Sequence, residues 1–265
     1  MSDNNNHYCC RSINEECGIV GILSREKKDI AHDIYYGLFA LQHRGQESAG
    51  IALHSEGKTN KFSIEYHKGM GLVGEVFSQE TLGRLPHSRV GIGHTRYSTT
   101  GSSHLVNAQP VVFYGRKGRM AVAHNGNIAN ALKIKEKMLR AGHIFLSSTD
   151  SEVVASLINY YSADDIEKGI RLACSELVGA YALVITAEEK LYAVRDPLGL
   201  KPLVLGLRGE DVVFASESCA LAAVGATLIR DVEPGEIVKV DTDGVLTSTY
   251  LPAAGERKSC VFEYV

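Results

Sequence analysis

Six short apolar runs between residues 180 and 250 set the strongest limit on how this 265-residue chain can fold. Each run has the length and the β-branched content of a buried strand, and turn sequences such as AEEK and DTDG separate some of them. Strands that follow one another so closely favour antiparallel hairpins. The predicted strands are 180–186, 190–195, 203–207, 212–215, 236–240 and 245–250.

The earlier part of the chain adds both strands and helices. Asp29 is a predicted N-cap of a helix whose apolar residues recur every three or four positions and which ends by Gly45. Because the helices are grouped between runs of strands, the pattern favours an α+β fold with antiparallel sheets covered by helices, and it leaves the number of layers open. Further strands are predicted at 17–24, 49–54, 61–67, 90–94 and 119–124, and further helices at 128–140, 151–161 and 166–177.

Composition restricts the partners of the chain. A net charge of -3 gives no electrostatic reason to bind nucleic acid or an anionic membrane, and no apolar stretch approaches the roughly 20 residues that cross a bilayer. The six cysteines contain no C-x-x-C pair, which indicates a reducing compartment rather than a disulfide framework. We therefore expect a cytoplasmic protein that binds neither nucleic acid nor membrane.

Residues 1–16 differ from the rest of the chain, because they are polar, rich in Asn and directly followed by an apolar run that begins at Cys17. They are either a disordered leader or a removable propeptide. Inside a strand, Cys17 would most simply be an inert core thiol. Cleavage before it would instead place an α-amine beside the thiol, and an α-amine with a pKa of about 7.7–8.0 can act as its base.

Three polar clusters offer further candidates. Arg96 follows a predicted strand and can hold a carboxylate with its planar guanidinium, or form a structural salt bridge. Asn125 and Gly126 can supply two donors to one oxyanion, or form a simple turn. Asp150, or a neighbour, can cap the next helix or hold a substrate ammonium.

The conjunction of motifs is more specific than any one of them. In this order and combination, the chain resembles the class II glutamine amidotransferases, which are N-terminal-nucleophile hydrolases, and within them the glutaminase domains of the amidophosphoribosyltransferases. The motifs are CGIVGI, LQHRGQESAG, GHTRYSTTG, NAQP, AHNGNI, STDSE, RDPLGLKPLVLG, ASES and DVEPGEIV.

This resemblance implies a four-layer αββα sandwich over residues 17–258 and a role for each matching residue. Cys17 would be the nucleophile, and Asn125 with Gly126 would form the oxyanion hole. Arg96, assisted near Thr99, would hold the glutamine α-carboxylate. Asp150 would hold the α-ammonium, and Arg44 would lie in a loop that closes over glutamine. The implied catalytic and substrate-binding residues are Cys17, Asn125, Gly126, Arg96, Thr99, Asp150 and Arg44.

The resemblance also implies that the ammonia serves phosphoribosyl pyrophosphate in the first committed step of purine biosynthesis. Residues 259–265 would begin a phosphoribosyltransferase domain that this sequence does not contain, in an enzyme expected to be a homo-oligomer that uses Mg²⁺. Cys260 matches an iron–sulfur ligand of one branch of the family. Because a 4Fe–4S cluster needs four thiolates, we expect a free thiol here and a cluster only in a full-length enzyme.

Two alternatives stay open. The related glutaminase domain of glucosamine-6-phosphate synthase shares CGIVGI but typically carries YRGYDSAG and HTRWATHG, where this chain has HRGQESAG and HTRYSTTG. The ammonia could therefore serve another acceptor, such as a sugar phosphate. An unprocessed leader would make the chain a catalytically silent regulatory module.

Overall fold

A computed structural model describes residues 17–55, 62–97, 104–115, 118–252 and 258. The predictions for the leader 1–16, for Thr99, and for Cys260 with residues 259–265 fall outside these ranges. The strands are β1 (Gly18–Lys28), β2 (Ser48–Ser55), β3 (Ser63–Met70), β4 (Ser88–Arg96), β5 (Val111–Tyr114), β6 (Arg119–Ile128), β7 (Gly179–Ala187), β8 (Lys190–Arg195), β9 (Val204–Arg208), β10 (Asp211–Ala215), β11 (Thr227–Asp231), β12 (Glu236–Val240) and β13 (Leu246–Tyr250). The helices are α1 (Ile30–Ala40), α2 (Val73–Val76), α3 (Gln79–Gly83), α4 (Ala131–Arg140), α5 (Asp150–Tyr161), α6 (Ile166–Glu176) and α7 (Ser218–Ala223), with a 3₁₀ turn at Leu105–Asn107.

The strands form two antiparallel sheets. One has seven strands in the order β11-β9-β10-β1-β4-β2-β3, and the other has six in the order β13-β12-β8-β7-β6-β5. β1 lies inside the first sheet, where Val20 pairs with Ala215 of β10 and Gly18 pairs with Thr95 of β4. The strand that directly follows Cys17 is therefore held on both sides.

Three apolar cores show how the layers stack. Ile19 and Phe214 of the first sheet share one core with Val184 of the second, so the sheets pack face to face. The outer face of the first sheet packs on α1 and α7, and that of the second packs on α4, α5 and α6. At Gly21 an added Cβ would lie 2.4 Å from Val184 Cγ1, which explains a glycine in the CGIVGI strand. The four-layer αββα sandwich of the α+β class is confirmed.

Two predictions about the ends of elements are confirmed. The side chain of Asp29 accepts a hydrogen bond from the His32 N–H and caps α1 as predicted. In the AEEK turn between β7 and β8, Glu188 and Glu189 have φ values of 53° and 57°, as a tight hairpin of type I′ requires.

Other predictions need correction. The helix predicted at 128–140 begins at Ala131, because β6 continues to Ile128. The Asn130 side chain donates to the Glu176 carbonyl and accepts from the Val178 N–H. Thr149 occupies the N-cap position of α5, but its side chain makes no capping hydrogen bond, and Asp150 is the first helical residue. The sequence did not reveal α2, α3, α7, β5 and β11.

None of the helices in the described ranges is both long and apolar enough to cross a membrane.

Candidate active site

Cys17 lies at the entrance of β1 and is fixed through its backbone. Arg44 Nε donates to the Cys17 carbonyl oxygen at 3.0 Å, and Cys17 Sγ lies 3.8 Å from the carbonyl oxygen of Tyr97. At the next residue, Gly18, an added Cβ would lie 2.8 Å from Thr95 Cγ2 and 2.9 Å from Leu41 Cβ. The nucleophile candidate therefore sits at a closely packed point of the first sheet.

The surroundings of the Cys17 thiol act on its acidity in opposite directions. Burial raises the pKa of the thiol above its ordinary value, and the negative charge of Asp150 raises it further. The positive charges of Arg96 and Arg44 lower the pKa. Because burial dominates, the thiol needs a base before it can attack.

Arg96 ends β4 beside Cys17, and its side chain is 4% exposed. Its Nη1 donates to Glu47 Oε1 at 2.7 Å, and the Arg96 carbonyl accepts from the Glu47 N–H at 2.9 Å. Gly45 packs directly on this strand, since an added Cβ would lie 2.6 Å from the Thr95 carbonyl carbon. The guanidinium is thus a fixed cation at the end of a strand.

Asn125 and Gly126 come from β6 of the second sheet. Asn125 is buried, yet its Nδ2 has no hydrogen-bond partner among the described residues. Gly126 has a φ of 141°, and an added Cβ would lie 2.0 Å from the Ala180 carbonyl oxygen, so only glycine fits. A buried amide donor without a partner is costly in a folded protein and indicates a ligand position.

Asp150 opens α5 on the other side of the cleft. Its Oδ2 accepts from the Ile128 N–H at 3.0 Å, and its Oδ1 lies 3.7 Å from His124 Nδ1. The carboxylate is mostly buried but borders the cleft. It therefore offers a negative charge across from Arg96.

A cleft with about 270 Å³ of empty space, its open mouth included, brings these groups together. It unites four of the predicted residues, Cys17, Arg96, Gly126 and Asp150, while Asn125 is the strand neighbour of Gly126. Arg44 is not among the described lining residues; it lies behind Cys17 with its guanidinium on the Cys17 carbonyl and on Glu217 Oε1 at 2.6 Å. Closure of the Arg44 loop over glutamine stays a prediction, as does the assistance of Thr99. The cleft is lined by Cys17, Arg96, Tyr97, Gln109, His124, Gly126, Thr149, Asp150 and Ser151.

His124 and Gln109 line the cleft but had no role assigned from the sequence. Gln109 Oε1 accepts from the His124 N–H at 2.8 Å, and its Nε2 donates to the His124 carbonyl at 3.2 Å. His124 Nδ1 lies 3.1 Å from Ser151 Oγ, and burial lowers the pKa of the imidazole. The NAQP and AHNGN motifs were the available signal, because each contributes a polar side chain and the two, 15 positions apart, meet here.

The RDPLGLKP motif organises a loop outside the cleft. Asp196 accepts from the N–H groups of Leu198, Leu200 and Lys201, and Arg195 donates to the carbonyls of Gly199, Lys201 and Val232. Both side chains are buried. Its role in this structure is to shape the chain between β8 and β9.

The described residues contain no group of three His, Cys, Asp or Glu side chains placed to hold a metal ion. Cys17, Cys174 and Cys219 are free thiols. The iron–sulfur role of Cys260 is outside the described ranges and stays a prediction.

Residues 94–223 match the family described as glutamine amidotransferase domain. The chain carries a glutamine amidotransferase domain. The match starts inside β4 and ends with α7, and β1 to β3 lie in the same sheet as β4, before the matched residues.

Known proteins similar to this chain agree with this match. It is 44% identical over 256 residues to an amidophosphoribosyltransferase of Methanothermobacter thermautotrophicus, covering 96% of this chain and 52% of that protein. It is 47% identical over 252 residues to a chloroplastic amidophosphoribosyltransferase of Arabidopsis thaliana, covering 95% and 44%. The solved glutamine phosphoribosylpyrophosphate amidotransferase from B. subtilis superposes with a TM-score of 0.85 at 38% identity, covering 94% of this chain and 52% of that one. The chain thus spans about half the length of the relatives it matches.

Proposed function

We propose that this chain hydrolyses the side-chain amide of glutamine to glutamate and ammonia, with Cys17 as the nucleophile. The observation that carries the proposal is the cleft, where a thiol, a guanidinium and a carboxylate meet. Free glutamine carries an α-carboxylate for Arg96, an α-ammonium for Asp150 and an amide carbon for Cys17. The unpartnered amide of Asn125 supplies the remaining donor.

The chemistry follows from these positions. The α-amine of Cys17, free once residues 1–16 are removed, takes the proton of the thiol, and Sγ attacks the amide carbon of glutamine. The oxygen that becomes negative accepts hydrogen bonds from Asn125 Nδ2 and the Gly126 N–H. The ammonium of Cys17 returns the proton to the leaving nitrogen, so ammonia departs and a thioester remains. Water then adds to the thioester, and glutamate leaves with the thiol restored.

We further propose that the ammonia serves a phosphoribosyl acceptor held by a phosphoribosyltransferase domain. The names of the similar proteins support this, because they are amidophosphoribosyltransferases. Mg²⁺ and a 4Fe–4S cluster with Cys260 stay predictions for the full-length enzyme. In the enzyme that joins this domain to its acceptor half, Cys17→Ser should abolish glutamine-dependent pyrophosphate release and keep ammonia-dependent release. Loss of both activities would contradict the proposal that the two domains carry separate reactions.

A cytoplasmic location and a homo-oligomeric full-length enzyme are part of the same proposal. The free thiols support a reducing compartment. Sedimentation of the full-length enzyme tests the assembly.

Glutamate release by purified protein that begins at Cys17 tests the hydrolysis. Cys17→Ser should fold and lose most of this activity, because an alcohol is a poorer nucleophile than a partly ionised thiol. The matched control is Cys174→Ala, which removes a buried thiol in α6, outside the cleft. Glutamate release that survives Cys17→Ser, or that is absent from the unmodified protein, would refute the proposal.

A further inference from the structure

Glu217 lies far from Cys17 in sequence and contacts the arginine that holds it. Its Oε1 accepts from Arg44 Nη1 at 2.6 Å, and Arg44 Nε donates to the Cys17 carbonyl at 3.0 Å. The Arg44 side chain is 5% exposed and that of Glu217 is 32% exposed, so water reaches this charged pair only from the carboxylate side. One guanidinium therefore links a carboxylate from the start of α7 to the backbone of the nucleophile.

Ser216, the residue before Glu217, supports the same arrangement. The Ile19 N–H donates to Ser216 Oγ at 3.0 Å, and the Ser216 N–H donates to the Ile19 carbonyl at 3.0 Å. Ser216 and Glu217 thus hold the chain on both sides of Gly18. The ASES motif, to which the sequence assigned no role, is the segment that does this.

We propose that Glu217 is a positioning residue for Cys17, acting through Arg44 to orient the α-amine and the thiol. This inference rests on the proposed glutaminase activity. Arg44 holds the carbonyl of Cys17, and β1 holds the next residue, Gly18. Rotation about the Cα–C bond of Cys17 is therefore restricted. The amine nitrogen and the Cβ that carries Sγ are both bonded to that Cα, and they are then presented to the cleft in one orientation.

Glu217 also compensates the charge of Arg44, one of the two cations that act on the thiol. The charged groups acting on the thiol are Arg96, Arg44 and Asp150, and those facing Glu217 are Arg44 and His43, with Cys219 Sγ 3.6 Å away. Removing the carboxylate charge leaves the positive charge of Arg44 less compensated. A more positive surrounding favours the neutral amine and the thiolate, so both pKa values should fall.

The test compares Glu217→Gln, which removes the charge, with Glu217→Asp, which keeps it and shortens its reach. In protein beginning at Cys17, Glu217→Gln should lower kcat about 10- to 100-fold with KM nearly unchanged. The acidic limb of its kcat/KM profile should move to lower pH. Glu217→Asp should lower kcat and leave the limb in place. The matched control, Asp33→Asn, removes an equally close pair with Arg208 at 2.6 Å across a similar sequence separation, and kcat should not change.

A second readout does not depend on turnover. The rate of Cys17 alkylation by iodoacetamide, followed on its own peptide by mass spectrometry, should have a lower midpoint pH in Glu217→Gln than in the unmodified protein. If the unmodified protein released no glutamate, the proposed function would fail while this measurement would still test Glu217. Unchanged kcat and midpoint in Glu217→Gln overturn the inference, as does an equal loss in Asp33→Asn. Should Glu217→Gln not fold, a folded Glu217→Asp with normal kcat overturns it.

Discussion

At the scale of single residues, the proposed oxyanion position is the most informative feature of the cleft. Asn125 is buried with an unpartnered Nδ2, and its neighbour Gly126 has a backbone that no other residue can adopt without meeting Ala180. Folding leaves this amide donor unsatisfied within the described residues. A donor that finds its partner only when negative charge develops stabilises the transition state more than the substrate.

Asn125→Ala should therefore lower kcat about 100- to 1,000-fold with a much smaller effect on KM. The control is Asn127→Ala, two residues along the same strand and exposed to solvent, which should keep kcat. Steady-state glutamate release measures both. A change in KM alone would place Asn125 in ground-state binding instead.

The two charges across the cleft make a separate prediction about substrate recognition. Asp150→Asn should reduce kcat/KM for glutamine, with a loss of transition-state stabilisation of roughly 2–5 kcal/mol, because the substrate ammonium loses its buried partner. With a glutamine analogue that lacks the α-amino group, the same variant should lose little. Arg96→Ala should also lose much of its kcat/KM with glutamine, but it should lose little with an analogue that lacks the α-carboxylate. Equal losses for both analogues would mean that these residues act on the fold rather than on the ligand.

At the scale of elements, the loop between α1 and β2 holds Arg44 against the first sheet through Gly45. An added Cβ at Gly45 would meet the backbone of Thr95 and Arg96 at 2.6–2.7 Å, and backbone cannot move aside as a side chain can. Gly45→Ala should lower the free energy of unfolding by about 1–3 kcal/mol and reduce activity by shifting Arg44. Gly83→Ala in α3, with nothing within 4 Å of the added methyl, should do neither. Urea denaturation checks this, and equal stability of the two variants would contradict it.

Strand β2 predicts a pH dependence of stability. His54 is buried at its end, and burial lowers the pKa of the imidazole from 6.5 to about 4, which corresponds to roughly 3 kcal/mol. The unfolded chain binds the proton at higher pH than the folded one. Stability is thus fully present above pH 6.5 and is lost progressively as the pH falls toward 4.

In His54→Gln, the free energy of unfolding should fall less steeply between pH 6.5 and 4. The exposed His87→Gln should keep the slope of the unmodified protein. An unchanged slope in His54→Gln would show that this imidazole is not buried in neutral form.

The same elements show what sequence patterns can and cannot predict. Periodicity and capping placed α5, α6 and the start of α1 within one residue, because their signals are local, whereas α1 ends at Ala40 rather than at Gly45. β11 was not predicted because most of its residues are exposed, and α7 was not predicted because it is a short helix that begins at the end of ASES. Cys17, Arg96, Gly126 and Asp150 were predicted to share a site through resemblance. The contact of Arg44 with Glu217 joins residues 173 positions apart, and no local pattern encodes it.

At the scale of the whole molecule, the site exists only because two sheets meet. Cys17 and Arg96 belong to the seven-stranded sheet, whereas Asn125 and Gly126 belong to the other. His94 Nε2 of β4 donates to the His124 carbonyl of β6 at 3.0 Å and joins the sheets beside the cleft. Any change that separates the sheets therefore separates Cys17 from the proposed oxyanion donors.

The proposed mechanism predicts that removal of residues 1–16 decides the activity of the whole molecule. The fold supplies a thiol whose pKa burial raises, and the Cys17 nitrogen can act as its base only as a free amine. While residues 1–16 are attached, that nitrogen is an amide and cannot accept a proton. Protein carrying residues 1–16 should bind glutamine but release almost no glutamate, and proteolytic cleavage before Cys17 through an inserted protease site should restore release. Intact mass and N-terminal sequencing identify the active species, and Cys17→Ser cleaved in the same way is the control. Full activity in protein that still begins at Met1 would show that another group is the base.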